Sequence, residues 1–282
     1  MRSPKVSDDN YDIDDLRYLM RRLRDPADGC PWDLKQNAQT IVSFTIEEVY
    51  ELVDALEQGD DQAARDELGD VLFQVIFYAQ LAEERGQYNF DDVVHGIVAK
   101  LIRRHPHVFP EGTLVSRGVS VKQTPERGIK DRWEEIKQQE RNLRQQTHAL
   151  DDVPVSLPAL SRAQKLQKRA SRLGMDWANI NEVVEALKNE TQEFEEALEL
   201  RVPDAIAAEL GDILFSCVNL ARKLDFDAEQ LLRQSNSKFE ARVRLCAELA
   251  NDQNTPLEKA SEQYRDALWR EAKRRLGSQS RS

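Results

Sequence analysis

The chain has 282 residues, with 40 Lys plus Arg against 51 Asp plus Glu and a net charge of −11. That length holds one large domain or two ordinary ones. The acidic balance argues against a general nucleic-acid binder, which needs a basic face to neutralise phosphates, but it leaves room for a small anion held by a few cations or a metal. Hydrophobic residues at 40% beside 32% charged residues fit a folded chain of amphipathic elements rather than a disordered one.

The N-terminus, MRSPKVSDDN, has no apolar stretch, so no signal peptide is expected. Ile46, Val49, Val53 and Leu56 then keep a helical i, i+3, i+7, i+10 spacing. Residues 71–79 are apolar nearly all round, so that helix should be buried rather than amphipathic. The apolar run 71–82 is broken by Gln74 and Gln80 and is too short to span a bilayer, so no membrane partner is expected. Residues 105–128, rich in Pro, Gly, Val and Thr, read as a long loop. Leu160, Ala163, Leu166, Ala170 and Leu173 form another helical stripe, and Gly174 reads as its C′ stop. No stretch alternates with period two, and the fold class is all-α. Cys30, Cys217 and Cys246 form no CxxC pair, which argues against disulfides and a cysteine zinc site. The cytoplasm is the expected location.

An internal repeat sets the architecture. Glu48 and Glu51 are matched by Glu190 and Glu193, and Glu67-Leu-Gly-Asp70 by Glu209-Leu-Gly-Asp212, all at an offset of 142 residues. Lys100 and Arg104 match Lys238 and Arg242 at an offset of 138, and Trp133 and Lys137 match Trp269 and Lys273 at 136. Two related helical units are therefore expected at 1–137 and 159–282, joined by a polar linker at 138–158. One unit has too few long helices to cover residues 71–79 on every side, so a homodimer is expected to complete the bundle.

The repeated acids carry the chemistry. Glu48 and Glu51 are neighbours on one helix face, opposite the Ile46 stripe. A lone ExxE is ordinarily a solvated face. Glu67 and Asp70, however, lead into an apolar helix, where like charges at i, i+3 repel more as they are desolvated. A helix N-terminus would stabilise them as capping acids. A hard cation is the other compensation: four carboxylates from two antiparallel helices suit Mg²⁺ or Mn²⁺. Capping explains one pair, but not the same spacing returning as Glu190, Glu193, Glu209 and Asp212. A phosphate substrate bridged by such a metal needs cations for its remaining charge. Lys238 and Arg242 share a helix face, and Lys165, Lys168, Arg169 and Arg172 form another basic face. Trp269 either stacks on a base or fills a core. Asn219 lies seven residues after Asp212, on the same face, where the first unit has Phe77; a polar residue there suits a wet, ligand-bearing site. Asp92-Val-Val-His95 has no second copy, so a carboxylate–histidine di-iron site lacks ligands, and no P-loop, GxGxxG or GxSxG occurs.

The chain resembles the MazG family over nearly its full length. The signals are Gly29-Cys-Pro-Trp-Asp33, Glu47-Glu48-x-x-Glu51 with Glu67-Leu-Gly-Asp70, Arg103-Arg-His-Pro-His-Val-Phe109, and Gln164-Lys-Leu-Gln-Lys-Arg-Ala170 followed by Gly174-Met-Asp-Trp177. The resemblance implies Mg²⁺-dependent hydrolysis of nucleoside triphosphates to monophosphate and pyrophosphate. It also implies a homodimer with shared helices and a housecleaning role against non-standard nucleotides. It makes the C-terminal unit the main catalytic one, with Glu190, Glu193, Glu209 and Asp212 on the metal and Lys238, Arg242, Trp269 and Lys273 on the nucleotide. The family motif opens with two adjacent glutamates, whereas the second unit has Asn189-Glu190. Asn189 cannot serve as a carboxylate, though its amide can orient a water. From another class, a nucleotide-sensing or protein-binding helical scaffold with little turnover also fits the duplication and Asn189.

Overall fold

The computed structural model describes residues 10–118 and 153–279 and, between them, residues 133, 136, 140, 148, 150 and 151. The described residues form helices, turns and bends, with no strand among them. The chain divides into two compact units, Met1–Lys137 and Gln138–Ser282. Most of the expected linker at 138–158 lies outside the described residues, as does 119–128 of the expected loop; residues 105–118 run through turns and bends without helix.

The first unit has four described helices: α1 (Ile13–Leu23), α2 (Val42–Gln58), α3 (Asp61–Glu84) and α4 (Phe90–Arg104). Their starts are fixed by side chains that satisfy the unpaired N–H groups of a first turn. Asp12 and Asp15 form a capping box on α1, and Asn89 and Asp92 form one on α4. Gly59, at φ 72°, closes α2 in the left-handed region, and Asp60 accepts from the N–H groups of Gln62 and Ala63 to open α3. This tight turn makes α2 and α3 an antiparallel pair. Helices α1 and α4 pack on α3. The core is Met20, Ile41, Ile76, Phe77 and Leu81.

The α2–α3 seam is polar in its middle. At one end Ile41 packs with Phe77. One turn along, the Thr45 hydroxyl lies 3.0 Å from the Tyr78 hydroxyl and donates to Gln74 Oε1 at 3.3 Å. Glu48 and Glu51 follow, opposite Asp70 and Glu67. At the turn, Ala55 and Ala64 are buried. The acids therefore line the seam between the two helices, Glu48 and Glu67 partly buried and Glu51 and Asp70 exposed. The apolar stripe of α2 lies mostly on the outer side: Ile46, Val49 and Leu56 are exposed and Val53 is partly buried. The apolar helix is also incompletely covered. Gln74, Ile76, Phe77 and Ala79 are buried, but Leu68, Leu72 and Val75 are exposed along one side of α3.

The second unit has α5 (Ala159–Ser171), α6 (Ile180–Leu200), α7 (Pro203–Lys223), α8 (Ala228–Asp252) and α9 (Glu262–Gln279). Helices α6 and α7 repeat the α2–α3 pair. Arg201, at φ 54°, occupies the left-handed position held by Gly59 in the first unit, and Pro203 opens α7 at its first turn. Val183 and Ala197 are buried where Ile41 and Ala55 were. Helix α5 docks through two glutamines that the apolar stripe does not reveal. Gln167 is buried and donates Nε2 to the Phe215 carbonyl at 2.8 Å. Gln164 donates to the Phe226 carbonyl at 2.8 Å and accepts the Ala228 N–H at 3.0 Å. Leu160 and Ala163 pack on Val218, Ala221 and Ala228. Leu173 is exposed, and Gly174 at φ 82° ends the turn beyond α5. Helices α8 and α9 form a hairpin around Cys246, Ala250, Leu268 and Ala272.

Candidate metal and nucleotide site

Two carboxylate clusters form, one per unit. In the first, oxygens of Glu48, Glu67 and Asp70 lie within 4.8 Å of one another; in the second, those of Glu190, Glu193 and Glu209 do. The fourth predicted acid of each set stands beside its cluster. Beyond burial, the charge of Glu51 raises the Glu67 carboxyl, and that of Asp212 raises Glu190. Burial comes first in raising the carboxyl of Glu190 above the ordinary range, and the charges of Glu193, Asp212 and Glu209 add to it. Burial likewise leads for Glu48, with Asp70, Glu51, Glu67 and Glu47 adding, and for Glu67, with Glu51 and Asp70 next. Acids crowded in this way favour a proton or a cation.

The capping alternative fails on helix register. Helix α3 starts at Asp61 and α7 at Pro203, so Glu67, Asp70, Glu209 and Asp212 lie beyond the first turn, where the dipole effect has faded. The cap of α3 is Asp60. The donor set, all carboxylate oxygen and partly water-exposed, suits a hard divalent ion.

The predicted cations group differently. On the α8–α9 hairpin, the Arg242 guanidinium lies 5.8 Å and Lys273 Nζ 5.7 Å from the Trp269 ring centre, with the Phe239 ring at 5.7 Å. Lys238 is exposed on the same helix, one turn before Arg242. Trp269 is thus half-buried between an apolar core and two cations. Among the described residues, no ion pair joins Lys238, Arg242 or Lys273 to the carboxylates of α6 and α7. In the first unit Trp133 instead meets His105, ring centres 4.8 Å apart. Lys165 and Lys168 are partly or fully exposed on α5, while Arg169 reaches the Asp151 carbonyl at 3.1 Å. Asn189 is exposed beside Glu190.

Sequence reasoning missed two charged clamps. In the first unit Arg24, its side chain 7% exposed, forks onto Glu84 at 2.7 and 2.6 Å and donates to the carbonyls of Asp33 and Gln36. This ties the Trp32 loop to the end of α3. In the second unit the polarity is reversed. Asp176, in the Trp177 loop, pairs with Arg222 at 2.5 Å and Lys223 at 3.0 Å, both at the end of α7. Burial raises the Asp176 carboxyl, but hydrogen bonds from these two cations outweigh it and hold the carboxyl below its ordinary value. Asn219 joins this clamp, accepting from Arg222 Nε at 3.0 Å and Nη2 at 2.7 Å. The swap of sign between units hides the shared role from a residue-by-residue repeat comparison.

The comparison with known proteins decides the family. The MazG nucleotide pyrophosphohydrolase domain matches twice, at residues 36–109 and 179–246. This chain belongs to the MazG family. The two matches cover the α2–α3 and α6–α7 pairs that carry the acids. A nucleoside triphosphate pyrophosphohydrolase of Escherichia coli K12 is 43% identical over 264 residues, covering 93% of this chain and 97% of that one. The nucleoside triphosphate pyrophosphohydrolase/pyrophosphatase MazG of Thermotoga maritima is 39% identical over 261 residues, covering 93% and 95%. An uncharacterised Bacillus subtilis protein, YabN, is 40% identical over 93% of this chain and 52% of its own length. Among the described residues, no helix is long and apolar enough to cross a membrane.

Proposed function

We propose that the chain hydrolyses nucleoside triphosphates to the monophosphate and pyrophosphate, with Mg²⁺ or Mn²⁺, at the second unit. The observation that carries the reading is the Glu190–Glu193–Glu209 cluster in the α6–α7 seam; the names of the relatives that match over most of the chain support the substrate class. Glu190, Glu193, Glu209 and Asp212 would hold the metal, which would supply positive charge toward the phosphates and make a water more acidic. Asn189 would orient the water through its amide. Lys238, Arg242 and Lys273 would offset charge on the leaving pyrophosphate, with Lys165, Lys168 and Arg169 as further anion contacts. Trp269, flanked by Arg242 and Lys273, would stack on the base. Glu48, Glu51, Glu67 and Asp70 form a second metal site in the first unit.

Among the described residues of one chain, no ion pair joins the cations of the α8–α9 hairpin to the carboxylates. A second copy laying its hairpin over the acids would complete the site. Exposed Leu210 and Leu214 on α7, matching Leu68 and Leu72 on α3, are the apolar surface for that homodimer. Free thiols at Cys30, Cys217 and Cys246 suit a cytoplasmic enzyme that clears non-standard nucleotides.

The test is pyrophosphate release with Mg²⁺ and a mixed set of triphosphates. Turnover is expected for at least one nucleotide, to vanish on chelation, and to be lost in Glu193→Gln but largely retained in Glu51→Gln. Tight triphosphate binding without turnover would instead establish the scaffold reading.

A further inference from the structure

We propose that Asn219 reads the nucleoside part of the substrate, as an amide donor aimed by Arg222 and Asp176. The inference rests on the second unit being the working one. Arginine has donors and no acceptor, so the amide oxygen of Asn219 must face the guanidinium that contacts it at 3.0 and 2.7 Å. The Nδ2 hydrogens therefore point the other way. Flipping the amide would set donors against donors and break two charge-assisted bonds. Arg222 itself is held: its side chain is 13% exposed and pairs with Asp176, which Lys223 grips from the other oxygen. Among the described residues, no acceptor lies within hydrogen-bond reach of Asn219 Nδ2. A fixed donor with no internal acceptor is a recognition element in waiting.

Its place on α7 suits the nucleoside. Asp212, Ser216 and Asn219 stand at i, i+4 and i+7, in one row of the helix. Asn219 is about 10 Å along the axis from the metal-binding end of that row. A triphosphate held at the carboxylates would extend its sugar and base along such a row. The first unit fills the same positions. Gln74 is 7% and Phe77 1% exposed, and Gln74 is bonded to Thr45, which also meets Tyr78. The second unit replaces these with Ser216, Asn219, Leu187 and Leu220, which removes the hydrogen-bonded plug and leaves Ser216 and Asn219 partly exposed. An oriented donor selects a base edge that presents an acceptor, a carbonyl oxygen or ring nitrogen. Sites built on such a bond reject partners that cannot make it. Asn219 is then a specificity residue, and Asp176 and Arg222 are positioning residues.

The test uses the full chain with Mg²⁺. Asn219→Asp keeps the shape and the Arg222 contact but replaces the donor by an acceptor; Asn219→Ala removes the donor without adding charge. The measurements are kcat and KM for nucleoside triphosphates, inhibition by inorganic tripolyphosphate, and the thermal midpoint. Both variants are expected to raise KM roughly tenfold or more, to a degree that differs between bases, and to leave tripolyphosphate inhibition within about threefold. Asp176→Asn should raise KM by a smaller factor in the same direction, since the amide is then free to turn. An unchanged KM in both Asn219 variants overturns the proposal. So does an equal weakening of tripolyphosphate, which would mean that the residue serves phosphate binding or the fold. Glu193→Gln is measured alongside. If that variant is active, the second-unit reading has failed; if it is dead while Asn219→Ala behaves as the parent, only the present proposal has.

Discussion

Glu193→Gln should make the metal-free protein more stable and the enzyme inactive, a pairing that ordinary damage to the fold does not produce. Glu190, Glu193 and Glu209 bring oxygens within 4.8 Å of one another. Two unit charges at that separation repel by about 0.9 kcal/mol in the dielectric of water and by about 3.5 kcal/mol at an effective constant of 20. Glu193 is exposed, so the lower figure applies to each of its two pairs, about 2 kcal/mol together. Glutamine keeps the shape and removes the charge. In EDTA the midpoint should rise by roughly 4–8 °C, taking a protein of this size at about 2–4 °C per kcal/mol. In Mg²⁺ the order should reverse, because the parent gains the binding free energy and the variant loses most of it. Turnover should fall at least about 100-fold, since a missing ligand weakens the metal and misplaces the water. Differential scanning calorimetry in EDTA and in Mg²⁺, with pyrophosphate release, checks all three. A lower midpoint in EDTA, an undiminished Mg²⁺ shift, or retained turnover would refute the cluster as the metal site.

The raised carboxyls of Glu48, Glu67 and Glu190 give a pH dependence with a definite sign. Folded, they hold protons to higher pH than unfolded, so their contribution is present below the ordinary value of 4.5 and is lost as pH rises through the folded values. The metal-free midpoint should therefore decline from weakly acid to neutral pH, less steeply in Glu190→Gln, and Mg²⁺ should flatten the decline; equal slopes in parent and variant would count against it. Arg201→Gly relieves a left-handed residue at φ 54° and should stabilise the second unit by about 0.5–1 kcal/mol, read as a later urea midpoint at unchanged slope. Glu84→Ala strands the buried Arg24 guanidinium and should cost about 3 kcal/mol, toward the low end for a buried pair because Glu84 is one-third exposed; a loss below about 1 kcal/mol in urea denaturation would show that the Arg24 contacts to Asp33 and Gln36 suffice. Light scattering at micromolar concentration should give a dimer mass, and Leu214→Glu should lower it toward the monomer, as Leu214 is exposed in the single chain.

The helical class, the tandem repeat and the eight acids were legible in the sequence because each depends on local spacing. A 3.6-residue period, an i, i+3 acid pair and a recurring offset need no knowledge of what packs on what. Which face turns inward was not legible. The Ile46, Val49 and Leu56 stripe has the stronger apolar signature, yet α2 meets α3 through Ile41, Thr45, Glu48 and Ala55. Periodicity identifies a stripe but not its partner, and an apolar stripe that another surface covers looks the same as one that the chain's own core covers. Helix register, visible only once α3 was seen to begin at Asp61, removed the reading of Glu67 and Asp70 as capping acids. The grouping of Arg242 and Lys273 around Trp269 likewise depends on how the α8–α9 hairpin folds on itself. The Asp176–Arg222–Asn219 chain joins residues 46 apart in sequence and reverses the charge order of Arg24–Glu84. Long-range ion pairs fix only the sum of their charges and not which helix carries which sign, so the three-dimensional contact alone revealed it.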